Sequence, residues 1–370
     1  MDRRIHSLDA MRIVAMVFVV IIHTNPFESV GMYGNGLNFV VETTARFAVP
    51  FFFIASGYFF AVGTRRTDST AYLKGRVRTI SSLYVFGIVL SFPVFLGGDT
   101  ALALSSGADV TAIVVERVTA FLSPIDLLYY GTSASEILWF LPALLFSLVF
   151  IHLFVRLDRV EYLLPVALGV HIVGLLGSSY TMFVDVPFEI RDALFFGFFY
   201  TSLGYYISTH DWQPNGDRSE RYLAMTALLG IAHLAERYVL GYVITGDSFA
   251  RGVYSPTYTI TTALFTLSLF VFLLSRPDLG AGTSLPSWGK YAVGIYVAHP
   301  PVLQLFAILK GSLGIADSGL AGAIAWHLAY TPATFFGALA VYFAAHRLRV
   351  IEIGGSHFPS LPRLRAERSN

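Results

Sequence analysis

The chain has 370 residues, 55% hydrophobic and only 13% charged, with a net charge of +1 and a mean hydropathy of +0.63. A water-soluble domain carries about 25% charged residues, so the composition excludes an ordinary soluble globule and points to an all-α, polytopic membrane protein. The absence of cysteine excludes disulfides, thiolate metal sites and a cysteine nucleophile.

A helix needs about 20 residues, at a rise of about 1.5 Å each, to cross about 30 Å of hydrocarbon. Apolar runs of that length predict ten spans, near 8–27, 42–62, 79–97, 136–155, 161–178, 191–208, 221–244, 257–275, 289–309 and 321–346. "MDRR" and the apolar run after it resemble a signal peptide, but His23, Pro26 and Glu28 follow where a small-x-small cleavage site would stand. An uncleaved first span is expected. Between spans three and four, "AIVVERVTAFL" holds Glu116 and Arg117 in a run too short to cross, which predicts an interfacial or re-entrant helix. The spans make up one membrane domain over residues 1–346. The basic segment 347–370, with Pro359 and Pro362, reads as a tail of little structure.

Ten spans leave both termini on one side. On this map all of the 25 Lys and Arg face that side except Arg46, Arg117, Arg191, Arg237, Arg251 and Lys310. By the positive-inside rule both termini are expected in the cytoplasm.

The first span carries the strongest chemical signal, "LDAMRIVAMVFVVIIH" from Leu8 to His23. At about 100° per residue, Asp9, Arg12, Met16, Val19 and His23 fall on one stripe, and Arg12 lies about 16 Å along the axis from His23. Arg12 is then expected near the cytoplasmic face and His23 past mid-bilayer. A titratable group at that depth is costly and faces protein or a wet cavity. Spacing alone leaves two readings: a functional pair, or an interface anchor and a packing histidine.

The spacing of Arg12 and His23 is similar to the R-x10-H signature of the membrane acyltransferase-3 family. "VPFFFIASGYFF" from Val49 resembles that family's second-helix block, "LWFLPALL" from Leu138 a third block, and "WGKYAVGIYVAHPPVL" from Trp288 its penultimate helix with Tyr-x-x-His. The four blocks occur in family order. The resemblance implies an integral membrane enzyme that takes an acyl group, most often acetyl, from a cytoplasmic acyl-CoA. It would deliver that group to a hydroxyl of an extracytoplasmic or lipid-linked carbohydrate, at the cell membrane and alongside glycan-assembly enzymes. His23 would be the catalytic residue, because a neutral imidazole can take the hydroxyl proton as the thioester is attacked. A transient acyl-histidine is the alternative.

Other residues follow from the same resemblance. Arg12 would bind the donor, its planar fork of donors suiting phosphate or the thioester end; Asp9, three residues earlier, reads as its ion-pair partner, and a bare structural pair explains the two equally well. Arg76 and Arg78, in "YLKGRVRTISSLY", would meet the nucleotide end of the donor, although Thr79 and Ser82 stand where the family often has arginine and proline. Plain positive-inside anchoring explains these two arginines equally well. His299 is expected at the depth of His23, either sharing a polar cavity with it or bonded to a carbonyl freed by Pro300 and Pro301. Ser56 and Gly57 suit close helix approach, and Ser56 could touch the acceptor. Trp139 and Phe140 read as aromatic-belt residues or, by resemblance, as a wall of the acceptor site. Glu136, Arg191, Glu236 and Arg237 are further charges near or within spans and receive no role.

No H-E-x-x-H, P-loop or G-x-S-x-G motif occurs. No metal is expected, and nothing beyond the basic loops supports nucleic-acid binding. The competing functional class is a transporter or exporter of a surface polysaccharide, which buried ionisable residues would also suit.

Overall fold

The computed structural model describes residues 4–184, 190, 193–254, 256–314 and 319–354. Every regular element among them is helical. The longer helices are α1 (His6–Thr24), α2 (Gly31–Ala45), α3 (Ala48–Thr64), α4 (Ser69–Ser106), α5 (Val110–Phe121), α6 (Phe140–Arg156) and α7 (Leu163–Leu176), followed by α8 (Phe198–Thr209), α9 (Ser219–Tyr238), α10 (Ile260–Ser275), the short α11 (Leu285–Trp288), α12 (Ala292–Ser312) and α13 (Gly319–Arg347). A backbone surrounded by lipid must satisfy its own hydrogen bonds, which a helix does internally.

A helix occupies each of the ten predicted segments. Seven helical stretches among the described residues are long and apolar enough to cross a membrane: His6–Thr24, Gly31–Thr64, Ser69–Ser106, Glu136–Arg156, Gly216–Val243, Leu285–Ser312 and Gly319–Arg347. Val160–Leu176 and Ile260–Ser275 are apolar but shorter. The segment between spans three and four does hold a helix, α5, started by Asp109, whose carboxylate accepts from the Thr111 and Ala112 amides at 2.8 and 3.2 Å. Such a side-chain acceptor satisfies amides that have no partner within the helix.

Three features differ from expectation. Helix α4 runs far past both ends of its predicted span. Asp68 caps its start through the Ala71 amide at 2.9 Å, and left-handed Gly107 closes it. Pro93 stays inside the helix. Helix α2 fills a stretch expected to be mostly loop. The tail is folded at its start rather than loose: the Tyr342 hydroxyl donates to the Glu352 carbonyl at 3.1 Å and accepts from the Gly354 amide at 3.0 Å, and Ile351 is buried. The remainder, from residue 355, lies outside the described residues.

Lipid gives helices no hydrophobic reason to associate, so close packing holds such bundles together. Gly57 of α3 and Gly204 of α8 supply it reciprocally. A Cβ on Gly57 would lie 1.8 Å from the Thr201 carbonyl oxygen, and one on Gly204 1.9 Å from that of Ile54. The expectation that Gly57 permits close approach thus holds. Gly289, ahead of α12, plays the same part against α1, where a Cβ would meet the Asp9 carbonyl at 2.3 Å. Helix α1 therefore sits inside the bundle, against α3, α12 and α13, with Leu8, Ala15, Met16 and Val20 fully buried.

Candidate active site

The stripe read from the first span is realised on α1. Arg12, Met16 and Val19 line a single cavity of about 310 Å³. Phe52 and Ser56 of α3 face it, as do Arg76, Thr79 and Leu83 of α4 and Phe140 of α6. Lys290 and Tyr296 complete the wall on the α12 side, and Gly354 of the folded tail joins them. Among the described residues its charged groups are Arg12, Arg76 and Lys290, with no carboxylate in the lining. Ser56 is thus brought to Arg12 and Arg76, whereas Arg78 is exposed and stands outside this lining.

Arg12 is steered from two sides. Its Nη1 lies 3.6 Å from Asp9 Oδ1, and its guanidinium stacks 5.4 Å from the Phe59 ring centre. The other Asp9 oxygen accepts from Arg4 Nε at 2.7 Å. Asp9 itself lines a separate, mixed-charge cavity with Arg65, Arg66 and Asp211, so it buttresses Arg12 from behind.

His23 and His299 meet. Their ring centres are 5.4 Å apart with planes inclined at 39°. His299 is fully buried; its Nδ1 is 2.7 Å from the Tyr296 carbonyl oxygen, and its Nε2 has no hydrogen-bond partner among the described residues. Tyr296 connects this pair to the cavity. Its ring centre lies 5.7 Å from that of His299 and 5.5 Å from that of Phe140. Its hydroxyl donates to the Ile137 carbonyl and accepts from the Phe140 amide. Neither histidine lines the cavity, but Val19, one turn before His23, and Tyr296, one turn before His299, both do.

Trp139 is not brought to the histidines. It lines a second cavity of about 210 Å³ with Tyr129, Tyr130, Thr132, Glu136, Ala143 and Ala193. Lys290 received no role from the sequence, Tyr296 entered only within the Tyr-x-x-His block, and Phe140, read with Trp139 as an aromatic-belt or acceptor-wall residue, lines the cavity of Arg12. Tyr296 had a usable signal, standing three positions before His299 and so on the same helix face.

A buried charge cluster lies elsewhere. Arg237 is fully buried, 3.9 Å from Glu42 Oε2 and donating to the Thr257 carbonyl at 3.3 Å. Arg46 also pairs with Glu42. Glu236, its neighbour in sequence, faces the other way and accepts from Tyr180 and Thr261. Arg191 lies outside the described residues. Among those residues no cluster of three or more His, Asp or Glu is arranged to hold a metal ion.

Comparison with known proteins bears on this geometry. The model of the Acyl_transf_3 family, described as an acyltransferase domain, matches residues 5–343. One amino-acid racemase of Enterococcus faecalis is 29% identical over 185 residues, which is 49% of this chain and 24% of the relative. A second racemase of that organism is 26% identical over 236 residues, 60% of this chain and 30% of the relative. The chain therefore spans less than a third of the curated relatives it matches, and most of each relative lies outside the match. No solved structure matches. With the family model covering nearly the whole chain, the chain belongs to the acyltransferase-3 family and carries its acyltransferase domain on a bundle of helices, seven of them among the described residues long and apolar enough to cross a membrane.

Proposed function

We propose that the protein moves an acyl group, acetyl in the simplest case, from a cytoplasmic acyl-CoA to a hydroxyl of an extracytoplasmic or lipid-linked carbohydrate, in the plasma membrane. The observation that carries this reading is the cavity that Arg12, Arg76 and Lys290 share with Ser56 and Tyr296, with no carboxylate among its described lining residues. Three cations clustered in one lining suit a polyanionic donor, and arginine forks suit phosphate oxygens. At about 310 Å³ the cavity is at the small end of ligand sites, which run about 300–1,000 Å³. It suits the slender thioester arm, with the nucleotide left at the rim beside exposed Lys290.

His23 then acts as general base. One ring nitrogen takes the acceptor hydroxyl proton while that oxygen attacks the thioester carbonyl carbon. As the tetrahedral centre collapses the C–S bond breaks, and the imidazolium returns the proton to the leaving thiolate. The products are an ester and free coenzyme A. The second cavity suits the acceptor. The rings of Tyr129, Tyr130 and Trp139 can cover the C–H faces of a sugar, while Glu136 and Thr132 can bond its hydroxyls.

The test uses membranes holding the wild-type chain or His23→Ala, labelled acetyl-CoA, and mass spectrometry of cell-surface glycans. Acetyl label on a glycan hydroxyl with wild type, lost in His23→Ala at equal membrane insertion, supports the reading. Wild-type activity in His23→Ala removes the mechanism, and movement of whole glycans without acetyl transfer favours an exporter.

A further inference from the structure

The order of residues around His299 has a consequence for its neighbour. In an α-helix each N–H bonds the carbonyl four residues earlier. Pro300 has no N–H, so the Tyr296 carbonyl loses its usual partner inside α12. His299 Nδ1 supplies a replacement at 2.7 Å. A carbonyl only accepts, so Nδ1 carries the hydrogen. In a neutral ring the lone pair then sits on Nε2. Tyr296 cannot drift from this arrangement, because its hydroxyl is tied to the Ile137 carbonyl and the Phe140 amide.

His299 Nε2 is thus an acceptor by chemistry, and it is fully buried with no partner among the described residues. Buried polar atoms are normally paired. The ring beside it is His23, centre to centre 5.4 Å. An N–H···N bond of about 3 Å between two imidazoles puts their centres about 5 Å apart, which the observed separation matches.

We propose that His299 is a positioning residue: it accepts the N–H of His23 and so fixes which His23 nitrogen keeps the lone pair. The inference rests on the reading of His23 as the base. The chain of groups runs Tyr296 carbonyl, His299, His23, and the free lone pair of His23 faces the hydroxyl to be activated. A base oriented by a third group is a general device for proton abstraction. In this chain Pro300 sets the tautomer of the orienting group.

Two measurements on the full chain test it. In the first, ¹⁵N-histidine NMR of the protein in lipid reads each tautomer, with the His299 signal assigned by its loss in His299→Gln. Expected are an Nδ1-protonated, hydrogen-bonded His299 and a single His23 tautomer; His299 protonated on Nε2 overturns the proposal. This readout needs no activity, so it stays decisive even if acetyl-CoA proves not to be the donor.

In the second, acetyl transfer is followed in variants. His299→Phe removes the acceptor, and kcat should fall by about 10² with the KM for acetyl-CoA within about twofold. His299→Gln, which offers an amide oxygen, should recover part of that loss. Pro300→Ala returns a backbone N–H to compete for Tyr296, so it should mix the His299 tautomers and lower kcat by about tenfold. Wild-type kcat in His299→Phe, or a loss in Pro300→Ala with the His23 tautomer unchanged, overturns the proposal.

Discussion

Trp139 and Phe140 are adjacent in sequence and line different cavities: Phe140 faces the one that holds Arg12 and Arg76, and Trp139 faces the one that holds Glu136 and Tyr130. Their rings stand at 83° to one another, and they occupy the junction between a 3-10 turn, Glu136–Trp139, and α6. The Tyr296 hydroxyl pins this junction through Ile137 and Phe140. The start of α6 therefore forms part of the partition between the two cavities.

That partition separates donor effects from acceptor effects. Trp139→Ala is expected to raise the acceptor KM by about tenfold, the loss of one large aromatic contact, and to leave the KM for acetyl-CoA unchanged. Steady-state kinetics with each substrate varied in turn checks it. A rise in the donor KM alone would assign Trp139 to the other cavity.

Arg76 and Arg78 stand two residues apart on α4 and differ in surroundings. Arg76 lines the cationic cavity; Arg78 is exposed and does not. A hydrogen bond to a charged group contributes about 1.5–3 kcal/mol, so Arg76→Gln should raise the donor KM by about tenfold or more. Arg78→Gln should stay within about twofold. Equal effects from the two variants would mean that the arginines act only through their summed charge at the membrane surface.

The α3–α8 contact leaves no room for a side chain at Gly57, where an added Cβ would lie 1.8 Å from backbone oxygen of Thr201. Backbone cannot rotate away as a flexible side chain can. Gly57→Val should therefore cost about 3 kcal/mol or more, at the upper end of overpacking effects. Thermal unfolding in detergent would reveal a lowered midpoint and a poor yield. Gly97, whose added Cβ meets nothing within 4 Å, should accept alanine without either change.

Arg237 is a charge held far from water, beside Glu42 and below the Thr257 carbonyl. Removing one member of a buried pair commonly costs about 3–5 kcal/mol, because the other is left uncompensated. Arg237→Ala should fall near the lower figure, since Arg46 still pairs with Glu42. The double variant Arg237→Met with Glu42→Gln should recover much of the loss. Melting curves of wild type, Arg237→Met, Glu42→Gln and the double variant form a cycle that gives the coupling directly.

Some of this was legible before any tertiary structure. The Arg12–Met16–Val19 stripe depends only on the angular repeat of one helix, and all three residues line one cavity. The ten apolar segments follow from the cost of leaving backbone unpaired in lipid, and each is helical. Other features carried no local signal. Helix α2 is broken up by Gly31, Gly34, Gly36 and two asparagines, residues poor in helix propensity. It forms because its buried face, including Asn38 and Glu42, finds partners: Asn38 donates to the Pro26 carbonyl at 3.0 Å. The early tail looked loose because its hydrogen bonds go to Tyr342, which no pattern within 347–354 discloses.

By itself the sequence determined that this chain is a helical membrane protein, that Arg12 and His23 share one side of the first helix, and that Pro300 deprives Tyr296 of a hydrogen bond. Each of these follows from covalent geometry or from the transfer of apolar groups, both of which act within a few consecutive residues. Only the tertiary structure decided that His299 stands beside His23, that Lys290 joins Arg12 and Arg76, and that Trp139 and Phe140 part company. Those relations cross between helices, and the contacts that set them, such as Gly57 against Thr201 and Gly289 against Asp9, join residues far apart in the chain.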